Sequence, residues 1–261
     1  MRQTRPVTRL DQSLVERELC ESREKAKRAI MAGQVLVAGQ VTDKPSTEVA
    51  TDAAIELKAE EKFVSRGGHK LEAALEHFKI RAAGAVCADL GASTGGFTDC
   101  LLQRGAARVH AVDVGKGQIA YKLRRDPRVT VHDGVNARHL QRQQLGETVD
   151  IVTMDLAFIG LAKVLPAAKE LLKAAGGKAA GAISTTCDSG VIIALIKPQF
   201  EAGPKDVGKG GVVKDEAVRR RVVDAVKTFA TKELGMRCDG IIESPLLGPA
   251  GNKEFLICLR K

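Results

Sequence analysis

Residues 85–99, AVCADLGASTGGFTD, decide the fold of this chain. An apolar run ends at Asp89, a loop with three glycines follows, and the helix-like segment FTDCLLQRGA leaves the loop. This order predicts a β-strand, a tight turn and the start of a helix. Glycine lets the backbone pass close to a ligand, and the first turn of a helix has free N–H groups. The stretch therefore indicates either a site for a nucleotide-like cofactor or an ordinary strand-to-helix turn.

The spacing of the glycines narrows the choice of cofactor. Gly91, Gly95 and Gly96 do not form the G-x-G-x-x-G pattern of enzymes that bind dinucleotides. A pyrophosphate cradle is therefore less well supported than a site for an uncharged adenosine cofactor. A dinucleotide oxidoreductase is disfavoured for the same reason.

Further strand-like segments end in polar side chains. They lie at residues 108–114, 128–138, 149–160 and 191–201. Their polar ends are Asp113, then Asp133 with Asn136, then Asp155 and Lys197. Strands that alternate with helical segments predict a parallel, doubly wound α/β sheet with a site at its carboxyl edge. Two more strands, the second beginning near Glu254, follow a Pro/Gly loop at the end of the chain.

Asp113 is the candidate ligand for a ribose. It follows the glycine loop by about 20 residues, the distance at which nucleotide-binding α/β folds place an acid on the ribose hydroxyls. An acid at the end of a strand also caps a following helix in many proteins. The glycine loop beside it favours the ribose interpretation, and Asp133 and Asn136 could flank an adenine.

Residues 1–60 are predicted to form a separate small unit. Ser22 can cap a helix, and the alternation from Val35 to Val41 predicts two strands with a tight turn at Gly39. The predicted helix has Arg23, Lys27 and Arg28 among its residues. Such a unit could bind RNA through shape and phosphate contacts. Neighbouring glutamates leave open that these charges form an ordinary solvated face.

Composition limits the class of protein. The chain has 261 residues, a net charge of +9 and 44% hydrophobic residues, which fits a large α/β domain with a small one. The positive charge points to a nucleic acid partner, or only to solubility. Six cysteines without a C-x-x-C pair indicate free thiols in a reducing compartment and no metal site. Without a signal peptide or an apolar span, we expect a cytoplasmic protein with no membrane partner.

The first unit resembles the alpha-L RNA-binding domain, which was first seen in a ribosomal protein. The similarity rests on R-L-D at residues 9–11, S-R at residues 22–23 and G-x-V-x-V-x-G at residues 33–39. Ala38 stands where that family usually has Asn in its hairpin turn. The resemblance implies an α+β fold that binds RNA, with Arg9, Arg23, Lys27 and Arg28 as candidate contacts.

The rest of the chain resembles the TlyA, or haemolysin A, family of FtsJ-like RNA methyltransferases. The matching motifs occur in the family's order: SRGGxKL (65–71), DxGASTGGFTD (89–99), AVDVGxGQ (111–118), DxxFI (155–159), IKPQFE (196–201) and GPxGNxEF (248–255). The resemblance implies a Rossmann-like fold and transfer of a methyl group from S-adenosylmethionine to ribose 2′-hydroxyls of cytidine in ribosomal RNA. The expected partners are therefore ribosomal RNA or ribosomal subunits.

The resemblance also assigns residues. The family's K-D-K-E set falls on Lys70, Asp155, Lys197 and Glu254, with Lys197 as the proton acceptor. The expected cofactor contacts are Asp89, Gly91, Ser93, Gly95, Gly96, Phe97, Asp113, Val114, Asp133, Asn136 and Asp155. A lysine can accept a proton where burial and neighbouring cations favour its neutral form, and carboxylates can hold it in place. Read without the cofactor loop, the same four residues are ordinary surface ion pairs.

These observations give the predicted domain order. We expect an alpha-L domain at residues 1–60, a linker at 61–69 and a methyltransferase domain at 70–261. Within the last domain, the Gly, Ala, Ser and Thr of residues 174–190 predict a mobile insertion. Arg66, beside Gly67 and Gly68, could contact RNA phosphate or belong to a flexible join. The alternative functions are an RNA-binding protein of this fold without catalysis and a membrane-lytic protein, for which no apolar span is present.

Overall fold

The structure, a computed structural model, describes residues 6–58, 61–174 and 189–261. The chain divides into two compact units, Met1–Lys62 and Phe63–Lys261. Residues 63–69, which we predicted as part of a linker, thus lie in the second unit. Phe63 is buried in its core, and the first helix of that unit already begins at Gly67. Most of the predicted insertion, residues 175–188, lies outside the described residues.

The first unit is a small α+β domain. Its elements are β1 (Val7–Arg9), α1 (Leu10–Glu16), α2 (Arg23–Met31), β2 (Val35–Val37), β3 (Gln40–Val41), β4 (Glu48–Ala50) and β5 (Ile55–Leu57). Ser22 caps α2, because its hydroxyl accepts a hydrogen bond of 3.3 Å from Lys25 N. Strands β3, β2 and β5 form one sheet in that order, and β1 pairs with β4. Strands β1 and β4 have three residues each, too few to show an alternating pattern in the sequence.

The hairpin turn of the first unit has an unusual residue. Ala38 and Gly39, between β2 and β3, have φ angles of 49° and 78°. Two consecutive left-handed residues form the two-residue turn whose twist matches that of the strands. Asn and Gly adopt this conformation more easily than Ala, so Ala38 holds it against an intrinsic preference.

The second unit contains a seven-stranded sheet flanked by helices. Its helices are α3 (Gly67–His77), α4 (Gly96–Gln103), α5 (Tyr121–Arg124), α6 (Arg142–Leu145), α7 (Leu165–Leu171), α8 (Pro198–Glu201) and α9 (Glu216–Thr228). Its strands are β6 (Val86–Leu90), β7 (Arg108–Asp113), β8 (Val129–Asp133), β9 (Ile151–Met154), β10 (Val191–Ile196), β11 (Arg237–Glu243) and β12 (Phe255–Arg260). A π-helical turn, Phe229–Glu233, extends α9.

The strand order is β11-β12-β10-β9-β6-β7-β8. Strand β12 runs antiparallel to both β10 and β11, whereas the pairs from β10 to β8 are parallel. This confirms the predicted Rossmann-like, doubly wound α/β sheet with one antiparallel strand near the C-terminus. Consecutive residues of a strand point to opposite cores: Cys87 packs into one and Ala88 into the other. Both faces of the sheet are therefore covered, which explains the long apolar runs in the sequence.

The strand order creates a crevice at the carboxyl edge. The chain passes from β6 to β7 and β8 on one side, and then returns to β9 on the other side of β6. The loops after β6 and β9 therefore leave the sheet in different directions, as they do at the ligand sites of open α/β sheets. The glycine loop, residues 91–95, is one of these two loops, and residues 155–160 form the other.

Candidate active site

A cavity of about 330 Å³ opens at this crevice in the second unit. Its wall comes from the start of α3, the glycine loop, the loop after β9, the end of β10 and the loop before β12. The lining residues are Ser65, Arg66, Gly67, Lys70, Gly91, Ala92, Ser93, Thr94, Gly96, Phe97, Asp155, Ala157, Lys197, Leu246 and Leu247. The volume is within the range of small-molecule sites.

The glycine loop needs its glycines for steric reasons. Gly91 has a φ angle of 85°, and a Cβ atom on it would lie 2.6 Å from the backbone oxygen of Asp155. Gly95 has a φ angle of 96°, and a Cβ atom there would lie 2.3 Å from Leu123 Cδ1. Any side chain would therefore push the loop away from its neighbours, so the close packing that forms this wall of the cavity depends on glycine.

Asp113 fixes the glycine loop from the neighbouring strand. Its Oδ2 accepts a hydrogen bond of 2.8 Å from Ser93 N, and its Oδ1 accepts one of 2.7 Å from Gly115 N. Two carboxylate oxygens offer about four acceptor positions, so each oxygen retains capacity for a ligand hydroxyl. Asp113 does not itself line the cavity, but its partner Ser93 does.

Two lysine–carboxylate pairs lie at the cavity. Lys70 Nζ donates to Glu254 Oε2 at 2.5 Å, and Lys197 Nζ lies 2.6 Å from Asp155 Oδ1. The contact between Lys197 and Asp155 is an ion pair whose angles do not suit a hydrogen bond. Asp155 Oδ1 is buried and accepts no hydrogen bond from the described residues. Glu254 Oε1 is likewise buried and unpartnered within the described ranges. The structure thus brings together the four residues that the sequence comparison paired with the K-D-K-E set.

Comparison with known proteins identifies both units. Residues 63–261 match the FtsJ-like methyltransferase family, and residues 8–55 match the S4 domain family. The chain is 48% identical over 254 residues to a Mycobacterium tuberculosis protein named 16S/23S rRNA (cytidine-2′-O)-methyltransferase TlyA, an alignment that covers 97% of this chain and 89% of that protein.

The chain belongs to the TlyA branch of the FtsJ-like methyltransferases. This confirms the family, the small N-terminal domain and the enzyme class predicted from the sequence. Another relative, named Hemolysin A, from Brachyspira hyodysenteriae, is 38% identical over 95% of this chain and 98% of its own. A solved structure from Streptococcus thermophilus, described as a candidate hemolysin, matches with a TM-score of 0.71 at 37% identity, over 99% of this chain and 90% of that one. No helix in the described part of this TlyA-family chain is long and apolar enough to cross a membrane.

Several residues predicted to bind the cofactor do not line the cavity of this TlyA-family protein. Asp89 is fully buried, and its oxygens accept hydrogen bonds from Thr98 Oγ1 at 2.7 Å and Thr153 Oγ1 at 3.0 Å. Burial raises the pKa of Asp89 to about 6, although the two hydroxyl donors oppose that rise. Gly95 is buried as the N-cap of α4. Asp89 therefore connects β6 to α4 and β9, and Gly95 belongs to the glycine loop without lining the cavity.

The predicted adenine neighbours have partners of their own. Asp133 Oδ2 accepts from Gly117 N at 3.2 Å and from Arg124 at 3.1 Å, and these contacts, the backbone one first, lower the pKa of Asp133. Asn136 caps the short 3₁₀-helix Ala137–His139 through its hydrogen bond from Arg138 N. Val114 is 67% exposed. These three residues lie outside the cavity wall, so an adenine contact from any of them stays a prediction.

The basic residues predicted to contact RNA differ in the ion pairs and hydrogen bonds that hold them. Arg9 and Arg23 both pair with buried Asp11, whose pKa falls to about 2, chiefly because of its hydrogen bonds from Arg9. Lys27 pairs with Glu24 at 2.8 Å. Arg28, on the same helix, makes within the described residues only a long contact of 3.5 Å to the Glu24 carbonyl. These pairs leave the side chains of Arg9 and Arg23 about half exposed, so both could still contact a phosphate.

Arg66 differs from these four residues. It is exposed and lines the cavity in the second unit, and its guanidinium group has no ion pair or hydrogen bond among the described residues. A free guanidinium at the mouth of a site is suited to bind a phosphate group.

Part of the cavity wall was not predicted from the sequence. The missed residues are Ser65, Gly67, Ala92, Thr94, Ala157, Leu246 and Leu247. Ser65 and Gly67 lie in the stretch that we predicted as a linker. For Leu246 and Leu247, the sequence offered one signal, two successive leucines in a Pro/Gly loop. In the structure, Leu247 is 53% exposed. The described residues contain no cluster of three or more His, Cys, Asp or Glu residues that could hold a metal ion.

Proposed function

We propose that this protein transfers a methyl group from S-adenosylmethionine to the ribose 2′-hydroxyl of a cytidine in ribosomal RNA. One observation carries the proposal: Lys70 and Lys197, each paired with a carboxylate, line the same cavity as the glycine loop. The name of the Mycobacterium tuberculosis relative supports the cytidine and the RNA. With such a substrate, we expect the protein to act in the cytoplasm, with ribosomal RNA or ribosomal subunits as its partners.

The cavity fits S-adenosylmethionine in its chemistry. Gly91, Ser93, Gly96 and Phe97 give it a wall of loop backbone and one aromatic ring. Buried Asp155 Oδ1, which accepts no hydrogen bond from the described residues, could accept one from a bound ligand. We assign the ribose hydroxyls to Asp113, which has acceptor capacity left and holds Ser93 in the wall. When bound, S-adenosylmethionine supplies a methyl group on a positively charged sulfur.

The chain's own residues would then move one proton. Lys197, in the neutral amine form that a proton acceptor requires, would accept the proton of the 2′-hydroxyl as that oxygen is methylated. Asp155 holds the Lys197 amine at 2.6 Å. Lys70, fixed by Glu254, lies on the same cavity and stabilises negative charge on the ribose oxygen. Lys197 Nζ also lies 5.9 Å from the centre of the Phe200 ring, which adds a second restraint.

Binding of the RNA is assigned to both units. The S4 domain supplies Arg28 and the half-exposed Arg9 and Arg23, while Arg66 lies at the mouth of the cavity. Phosphate contacts of this kind fix the register of an RNA without reading its sequence.

Mass spectrometry of ribosomal RNA tests the proposal. Purified subunits that lack the modification are incubated with S-adenosylmethionine and either the wild-type protein or the Lys197→Ala variant, and nucleoside digests are compared. We expect 2′-O-methylcytidine only with the wild type. Methylation on a base would contradict the ribose assignment. RNA binding by the wild type without any methylation would instead favour an RNA-binding protein without catalysis.

A further inference from the structure

Helix α8 and Lys197, the residue before it, contact the loop after β9 at three points. Lys197, which precedes α8, pairs with Asp155 at the start of the loop. The ring of Phe200 lies 5.1 Å from that of Phe158 in the middle of the loop. At the end of the loop, Leu161 N donates a hydrogen bond of 2.7 Å to Glu201 Oε1. The first contact belongs to the proposed catalytic set, whereas the third has no role in the mechanism described so far.

The loop has few other supports. Asp155 N donates to Leu90 O at 3.1 Å, but no backbone N–H of residues 156–160 donates a hydrogen bond to the described residues. Phe158, in this stretch, has a φ angle of 63°, a conformation that costs a non-glycine residue about 1 to 2 kcal/mol. A strained residue persists only where its surroundings fix the backbone. The bond to Glu201 is the first main-chain anchor after Asp155.

The environment of Glu201 is costly for a carboxylate. Burial raises its pKa, and within the described part of the chain it forms no ion pair. Its Oε2 packs against Gly160, where a Cβ atom would lie 3.0 Å away. A partly buried carboxylate with a single N–H partner adds little to stability by itself. Its position at the joint between α8 and the loop therefore needs another explanation.

We infer that Glu201 is a positioning residue that holds the loop of Asp155 and Phe158 in register with Lys197. By accepting the hydrogen bond from Leu161 N, it fixes the far end of the loop to the helix that begins beside Lys197. The ion pair between Asp155 and Lys197 then keeps its geometry at the cavity, and Ala157 stays in the cavity wall. This role rests on the proposed function, because a misplaced loop matters only if these residues act on a substrate.

Two substitutions separate this role from simple packing. Glu201→Ala removes the acceptor, whereas Glu201→Gln keeps a carbonyl oxygen that can accept from Leu161 N. Glu147→Ala is the matched control: Glu147 is a partly exposed carboxylate that pairs with Arg108 and does not line the cavity. For each variant we would measure kcat and KM for methyl transfer to RNA, the Kd for S-adenosylmethionine and the unfolding temperature.

We expect Glu201→Ala to lower kcat by about tenfold or more, because a displacement of about 1 Å can cost about a hundredfold. Glu201→Gln should retain most of the wild-type kcat and the wild-type Kd for S-adenosylmethionine, and the unfolding temperature should stay close to wild type in both variants. A wild-type kcat in Glu201→Ala, or an equal loss in Glu201→Gln, would overturn the positioning role. An inactive wild type would instead overturn the proposed function.

Discussion

The two lysine–carboxylate pairs have the same chemistry but different surroundings. In the pair of Lys70 and Glu254, 9% and 0% of the side chains are exposed; in the pair of Lys197 and Asp155, the values are 12% and 24%. Glu254 also packs against Gly248, where a Cβ atom would lie 2.0 Å from Oε1. The first pair is enclosed by protein, whereas the second has a carboxylate that water or a substrate can reach.

This difference in exposure separates stability from catalysis. Removing one partner of an enclosed pair leaves an uncompensated charge in a medium of low polarity, and the cost falls on folding. Removing one partner of a pair that faces a cavity lets water solvate the other, so the cost to folding is small. We therefore expect the Lys70–Glu254 pair to support the fold as well as the site, and the Lys197–Asp155 pair to serve mainly the reaction.

The largest effect is expected from Lys197→Ala. Loss of the proton acceptor should lower methyl transfer by about 10²- to 10⁴-fold, the usual contribution of a general base. The free energy of unfolding should change by about 1 kcal/mol or less, because Asp155 remains accessible to solvent. Binding of S-adenosylmethionine, measured by calorimetry, should be close to wild type.

Lys173→Ala provides a control for the loss of an ion pair. Lys173 Nζ lies 2.7 Å from Asp150 Oδ1 in the same unit, is partly exposed, and does not line the cavity. This variant should retain activity. If Lys197→Ala kept wild-type activity, or if it unfolded as readily as a variant of the enclosed pair, the contrast between the two pairs would fail.

Lys70→Met should have the second largest effect, this time on stability. Glu254, with no exposed surface, would lose its only donor among the described residues, at a cost of about 3 to 5 kcal/mol in the free energy of unfolding. The double variant Lys70→Met, Glu254→Leu removes both charges and should recover most of that loss while remaining inactive. Denaturant unfolding would check both variants. A single variant as stable as wild type would show that water reaches Glu254.

The sequence predicted one part of this site better than the other. The glycine loop and Lys197 follow long apolar runs, so a local pattern placed them at the edge of a sheet. The pairing of Lys70 with Glu254 joins residues 184 apart, and only the family motifs connected them. Leu246 and Leu247 come from a loop that the strand order brings to the cavity, and no periodicity marks such a loop.

Asp89 shows why the direction in which a side chain points is the hardest feature to predict from the sequence. A carboxylate that ends a strand reads the same in sequence whether it lines the cavity or lies in the protein interior. Here the hydroxyls of Thr98 and Thr153, 9 and 64 residues away, hold it in the interior.

Asp89 also provides the smallest test of the comparison, since it is an enclosed carboxylate without a lysine. Its pKa is raised from 3.8 to about 6, so the folded protein holds this proton more tightly than the unfolded chain does. Its contribution to stability is therefore fully present below about pH 4 and is lost as the pH rises through about 6. Relative to Asp89→Asn, which does not titrate, the wild type should lose about 3 kcal/mol of unfolding free energy between pH 4 and pH 7.

Unfolding by denaturant across that pH range measures the difference in unfolding free energy between the wild type and Asp89→Asn. The contributions of other groups cancel in this difference. Asp126→Asn is the control of opposite sign: Arg128 lowers the pKa of Asp126, so its contribution is lost as the pH falls. A difference between wild type and Asp89→Asn that stays constant with pH would show that Asp89 titrates normally. Burial would then not be what distinguishes the carboxylates of this sheet edge, and the contrast between the two lysine pairs would need a different cause.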